Sequence, residues 1–140
     1  MENHYSRISR QRLDTCHPEL QLLFETVLEF FDHSIYSGAR SREDQETLFQ
    51  EGSSKLRWPE SKHNSVPSMA VDAGPWIEGV DRWDEPQCRL FAGFVMGVAA
   101  MLKESGSMTY SVRWGGDWDQ DWNIHDQTFN DLVHFELVED

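Results

Sequence analysis

The stretch Asp131-Leu132-Val133-His134-Phe135-Glu136-Leu137-Val138, DLVHFELV, alternates apolar and polar side chains with a period of two. An extended chain sends successive side chains to opposite faces, so Val133, Phe135 and Leu137 line one face of a strand and His134 and Glu136 the other. Such a strand needs a cover for its apolar face. From Pro18 to about Phe31, Leu20, Leu23, Phe24, Val27, Leu28 and Phe31 recur at three and four, the spacing of an amphipathic helix with proline in its first turn. Asp84-Glu85-Pro86 opens a longer helix through Leu90, Phe91, Phe94, Val95, Val98, Met101 and Leu102, ending near Gly106. Between them, His33 to Ser37 reads as a short strand, and Ser41-Arg42-Glu43-Asp44 as an N-cap with an acidic first turn. That helix runs to about Gln50 and stops at Gly52. Ser53 to Pro67 is an exposed loop, Met69 to Ala73 a short strand, and Tyr110 to Trp114 another. The order predicts a small α+β domain, an antiparallel sheet with packed helices. It spans residues 1–140, with residues 1–14 expected to be a mobile terminus.

Composition narrows the function. The chain has 140 residues, 39% of them hydrophobic, with six Trp, eight Phe and three Tyr, enough for one packed core. No apolar run approaches the roughly 18 residues of a membrane span, and no apolar stretch follows the basic amino terminus as in a secretory signal. Membrane insertion is therefore not expected. Cys16 and Cys88 are too few for a disulfide framework and lack Cys-x-x-Cys spacing, so both read as free thiols. A net charge of -13 opposes nucleic-acid binding, which depends on neutralising phosphates with Lys and Arg.

Four residues stand out against this background. His134 is presented on the polar face of its strand, three residues after Asp131. Far upstream, His63 lies in the polar loop, and nine positions later Asp72 interrupts the apolar run Ala70-Val71-Asp72-Ala73, where an unpaired buried carboxylate is costly. Two imidazoles and a carboxylate around an open position form the ligand set of a catalytic zinc. A carboxylate beside it can act as base toward a water. Each residue also has an ordinary reading: His63 as an exposed loop histidine, Asp72 as a strand acid paired with Lys62 or Arg82. H-x8-D and D-x2-H are short patterns that many chains contain by accident.

The blocks Ser61-Lys62-His63, Ala70-Val71-Asp72 and Asp131-Leu132-Val133-His134 resemble, in order, the S-x-H, A-x-D and D/E-x-x-H signature of one zinc peptidase family. Its members are D-Ala-D-Ala carboxypeptidases and dipeptidases and the L-alanyl-D-glutamate peptidases of phage endolysins. Ser37-Gly38-Ala39-Arg40-Ser41 followed by Gln45 is similar to a further family segment, and Arg113-Trp114-Gly115-Gly116-Asp117-Trp118 to a block of its phage members. The resemblance covers about Leu20 to Leu137. In the usual pattern the aspartate follows the histidine by seven positions, here by nine, with Pro67-Ser68 near the customary glycine. A loop absorbs two residues without moving either ligand.

This resemblance implies a fold shared with the D-Ala-D-Ala peptidases and the Hedgehog signalling domain. It implies one Zn2+ held by His63, Asp72 and His134, with Asp131 as general base. Arg40 would face the scissile carbonyl, with Arg42 competing for that place, and Ser61, Gln45 and Trp114 would contact substrate. Of Trp114, Trp118 and Trp122, one is expected to line the groove. The implied activity is cleavage of peptidoglycan stem peptides at L-Ala–D-Glu by a monomeric endolysin. It would wait in the host cytoplasm for holin-type release to the periplasm and wall. The alternatives are a D-Ala-D-Ala carboxypeptidase or dipeptidase, a non-catalytic zinc-containing binding module, and a glycosidase built on the acidic pairs and tryptophans. Asp117-x-Asp119-x-Asp121-x-Asn123 is similar to the first half of a Ca2+ loop. Trp122 replaces its central glycine and Thr128 its closing glutamate, which favours a solvated acidic loop. His4, His17, His33 and His125 have no partner in the sequence and read as structural or surface residues.

Overall fold

The computed structural model describes residues 2–139. Four strands, β1 (His33–Ser37), β2 (Ala70–Pro75), β3 (Ser111–Trp114) and β4 (His134–Val138), form an antiparallel sheet in the order β1-β2-β4-β3. Four helices accompany it: α1 (Arg7–Asp14), α2 (Pro18–Leu28), α3 (Arg42–Gln50) and α4 (Glu85–Glu104). Asp72 pairs with His134 across β2 and β4, and Arg113 with Glu136 across β3 and β4. The period-two reading of DLVHFELV therefore holds: Phe135 and Leu137 are fully buried against the helices, and His134 and Glu136 face the other way beside Asp72 and Arg113.

Aromatic packing fixes α2 and α4 on the apolar face. The Phe135 ring meets Phe24 of α2 edge-on at 5.5 Å between centroids and Phe91 of α4 at 6.2 Å. Leu20, Leu23, Val27, Val71, Ala73 and Val95 complete this layer. The cap signals act as expected: Pro18 sits in the first turn of α2, and the hydroxyl of Ser41 accepts from Asp44 N–H at 3.1 Å. Asp84 caps α4, and Gly52 and Gly106 take the left-handed conformation after α3 and α4. His17 also acts as a cap, its Nδ1 accepting from Glu19 N–H at 3.0 Å.

The amino terminus departs from expectation. Residues 7–14 form a helix whose Leu13 is buried in the core. Its Ser9 hydroxyl accepts from Ile35 N–H at 3.0 Å, and Arg12 donates to the Ile35 carbonyl at 3.1 Å. β1 is an edge strand, and α1 covers backbone groups that the sheet leaves unpaired. The polar sequence RISRQRLD hides this role, because its chief contribution is hydrogen bonding and one leucine rather than an apolar stripe. Smaller differences are the end of α2 at Leu28, three residues early, and the extension of β2 to Pro75.

Candidate metal and active site

On the sheet face opposite α2 and α4, His63, Asp72 and His134 bring three ligand atoms within 4.8 Å of one another. Asp72 Oδ1 lies 3.2 Å from His63 Nε2 and 3.3 Å from His134 Nδ1. Those separations match the edge of a tetrahedron with metal bonds of about 2.1 Å. The remote nitrogen of each ring is tied down. His63 Nδ1 is 2.8 Å from the Gly38 carbonyl and must donate to it, which leaves Nε2 as a lone pair turned toward Asp72. His134 Nε2 is 2.8 Å from Glu136 Oε1, which turns Nδ1 inward. Glu136 is itself held by Arg113 at 2.7 Å and Lys62 at 3.4 Å. Outer partners of this kind fix the tautomer and orientation of metal-binding histidines.

Electrostatics bind the cluster together. Burial opposes ionisation of Asp72, but His63 and His134 outweigh it and hold the carboxyl well below its ordinary range. Burial likewise disfavours the His134 imidazolium, yet Asp72 and Glu136 reverse that and raise it to about 9. A cation is strongly wanted at this point, whether a proton or a metal. Asp131 behaves differently: burial, and then the nearby Asp72 charge, raise its pKa against the opposing pull of His134, His63 and Arg40. A carboxylate that takes up a proton more readily than usual suits a base.

Local backbone design places these groups. The Ser61 hydroxyl accepts from His63 N–H at 3.2 Å, and Asn64 Oδ1 accepts from Ser61 N–H at 3.1 Å. This capping box closes a single 3-10 turn over Lys62–Asn64 and presents His63. Gly38 packs so tightly on α1 that a Cβ there would lie 2.2 Å from the Arg12 carbonyl. A Cβ on Gly115 would lie 2.1 Å from the Asp131 carbonyl, and one on Gly116 2.3 Å from the Trp114 ring. The Gly115-Gly116 pair thus lets the loop after β3 press against the segment carrying Asp131, with Asp131 N–H donating to Gly115 O at 2.8 Å.

Of the two candidate arginines, Arg40 faces the site: its Nη2 is 3.6 Å from Asp72 Oδ2, and its Nη1 donates to Gln45 Oε1 at 2.9 Å. Arg42 points away and lies over the Trp58 ring at 5.4 Å. The three side chains expected to contact substrate are buried in this structure. Gln45 is fully enclosed, its amide nitrogen donating to Ser54 Oγ and the Leu56 carbonyl, so it braces Arg40 from below. Ser61 is buried and serves its turn. Trp114 pairs with Phe135 on the helix-facing side, with its indole donating to the Leu132 carbonyl at 2.8 Å. The half-buried tryptophan beside the site is Trp118, 5.5 Å from the His134 ring and stacked on Phe129.

Glu136 is the site residue that the sequence reading passed over, although its signal was present: it sits two residues from His134 on the same strand face. The ordinary pairings of Asp72 with Lys62 or Arg82 do not form, since Lys62 joins Glu136 and Arg82 lies over Tyr36. In the acidic loop, the ligand atoms of Asp117, Asp119 and Asp121 also lie within 4.8 Å of one another. Asp117 accepts from Trp122 N–H at 2.8 Å, and Gln120 and Trp122 adopt positive φ.

The chain is similar to the crystal structure of the Serratia marcescens L-Ala D-Glu endopeptidase ChiX, at 27% identity and a TM-score of 0.73. The likeness covers 98% of this chain and 92% of that one. No curated protein matches the chain. Residues 1–138, which include every element of the fold and all members of the His63–Asp72–His134 cluster, match the phage L-alanyl-D-glutamate peptidases, and the chain belongs to that family.

Proposed function

We propose that the protein hydrolyses the L-Ala–D-Glu bond of peptidoglycan stem peptides as a zinc-dependent phage endolysin. The observation that carries the metal assignment is the pair of imidazoles whose remote nitrogens are held by Gly38 O and Glu136, aiming two lone pairs at one point beside Asp72 Oδ1. His63, Asp72 and His134 would hold one zinc ion, which would supply Lewis acidity toward a water and the scissile carbonyl.

The chain's own groups do the rest. Asp131 takes the proton of the attacking water and passes it to the leaving amine of D-Glu. Arg40, held by Gln45, offers guanidinium N–H groups to the oxyanion that develops on the L-Ala carbonyl. Trp118 and Phe129 form an aromatic wall beside His134 against which the stem peptide lies. The enzyme accumulates in the host cytoplasm and reaches the wall after holin-type release.

Mass spectrometry of digested peptidoglycan tests the assignment. New stems beginning with D-Glu are expected, in a reaction abolished by chelator and restored by zinc. Release of D-Ala would instead assign a carboxypeptidase, chelator-resistant release of reducing sugar ends a glycosidase, and an inert but zinc-loaded protein a binding module.

A further inference from the structure

The outer side of α4 is unusual for a chain with 25 carboxylates. At 100° per residue, Arg89, Gly93, Gly97, Ala100 and Glu104 fall along the centre of its exposed arc, with Leu90, Phe94 and Met101 on one flank. Leu90 is 61% exposed, Phe94 36% and Met101 71%, and Phe30 adds a neighbouring ring that is 72% exposed. Between Arg89 and Glu104 the centre of the arc carries no charge. A Cβ built on Gly93 or Gly97 meets no atom within 4 Å, so neither glycine is explained by packing inside this chain. Hollows of about 580 Å³ and 480 Å³ run along the two flanks, the first between α4 and the exposed Trp122 and Ile124, the second beside Phe94 and Met101.

The two ends of the arc have opposite charge. Arg89 Nη1 is buried from water yet has no hydrogen-bond partner, a costly state for a guanidinium nitrogen. Glu104 is exposed and has no ion-pair partner among the described residues. The two lie fifteen residues apart, about 22 Å along the helix.

We infer that α4 is a homodimer interface in which two copies pack antiparallel across this arc. A two-fold axis passing between Met96 and Gly97 sets Arg89 of one copy against Glu104 of the other, twice, and Gly93 against Ala100, twice. The pattern is thereby self-complementary, as an isologous contact requires. The glycines let the two backbones approach closely, and Phe94 and Met101 pack along the seam. A lipid surface fits less well, because the arc lacks the basic border that draws a helix to anionic membranes. A seam of four turns is smaller than the standard interface of about 800 Å² per partner, so the dimer is reversible at micromolar concentration. The metal cluster lies on the opposite face of the sheet, so the pair carries two outward-facing sites. Such bivalency raises the effective affinity for a polymeric wall without new contacts.

Sedimentation velocity of the zinc-loaded protein, from about 1 to 200 µM, spans the range a reversible contact of this size occupies. Wild type is expected to move from a 16.3 kDa monomer toward twice that mass. Arg89→Glu and Glu104→Arg should each weaken dimerisation at least about tenfold. The double variant should restore it, a rescue that misfolding cannot mimic. All three should cleave a short soluble L-Ala–D-Glu peptide at the wild-type rate, while the single variants clear intact sacculi more slowly. A wild type that stays monomeric throughout overturns the inference, as does a dimer indifferent to both single reversals. Monomeric wild type floating with phosphatidylglycerol vesicles would overturn it in favour of a membrane face.

Discussion

At the scale of single residues, the proposed mechanism gives Asp131 and His134 different tasks. Asp131→Ala removes the proton acceptor but no ligand, so zinc content should stay near one per chain while kcat falls by about 10²–10⁴. His134→Ala should lose both. Retention of near-normal lysis by Asp131→Ala sinks the general-base assignment. Glu136→Gln leaves the three ligands in place but weakens the acceptor that orients His134, and about 10–100-fold weaker zinc binding is expected in a chelator competition. His33 offers a pH signature away from the site. It is buried, its Nε2 is 2.6 Å from the Tyr5 hydroxyl, and desolvation lowers its pKa to about 4 despite the hydrogen bond to Phe31 O. The unfolded chain binds this proton near pH 6.5, so the stabilising contribution is complete above that pH. It is lost progressively as pH falls from 6.5 to about 4, by about 3 kcal/mol in all. The difference in unfolding free energy between wild type and His33→Gln should therefore shrink over that window; a constant difference would show that His33 titrates normally.

At the scale of elements, three short glycine positions and one unassuming helix matter more than their sequence suggests. Gly115→Ala would drive a methyl into the Asp131 carbonyl. The loop and the Asp131 segment must separate, at a cost of about 1–3 kcal/mol, and kcat should fall more than KM rises, because the displaced group is the proposed base. A Gly115→Ala enzyme with normal kcat means that this contact does not position Asp131. For α1, Leu13→Ala should destabilise the fold by about 2–5 kcal/mol, as read by denaturant unfolding, whereas a dispensable terminus predicts no change. The long helices and the last strand were readable because apolar period and caps agree within each segment. α1 was not, since its work is to satisfy an edge strand distant in sequence, and no local period reports that.

At the scale of the molecule, the candidate metal site joins a loop turn, β2 and β4, with 71 residues from His63 to His134. Zinc binding should therefore stabilise the whole domain, by about 2.7 kcal/mol at a free concentration one hundred times its Kd. Chelation should lower Tm in wild type and change it little in His63→Ala. An unchanged wild-type Tm would mean that the cluster holds no metal. Much of the net charge of -13 lies outside this cage, on the outer loops and helix ends, where it contributes solubility and self-repulsion.

Residue spacing carries the fold class, the apolar face of each long element and the grouping of His63, Asp72 and His134 as candidate ligands, because periodicity, caps and ligand chemistry are properties of residues and their spacing. Folding alone reveals which arginine faces the site, why Gln45, Ser61 and Trp114 support it from within, and that Glu136 and the Gly38 carbonyl set the two imidazole tautomers. Those roles depend on side-chain direction and on contacts between segments distant in sequence, such as Gly38 with His63 and Gly115 with Asp131. Neither direction nor long-range contact is written in local spacing.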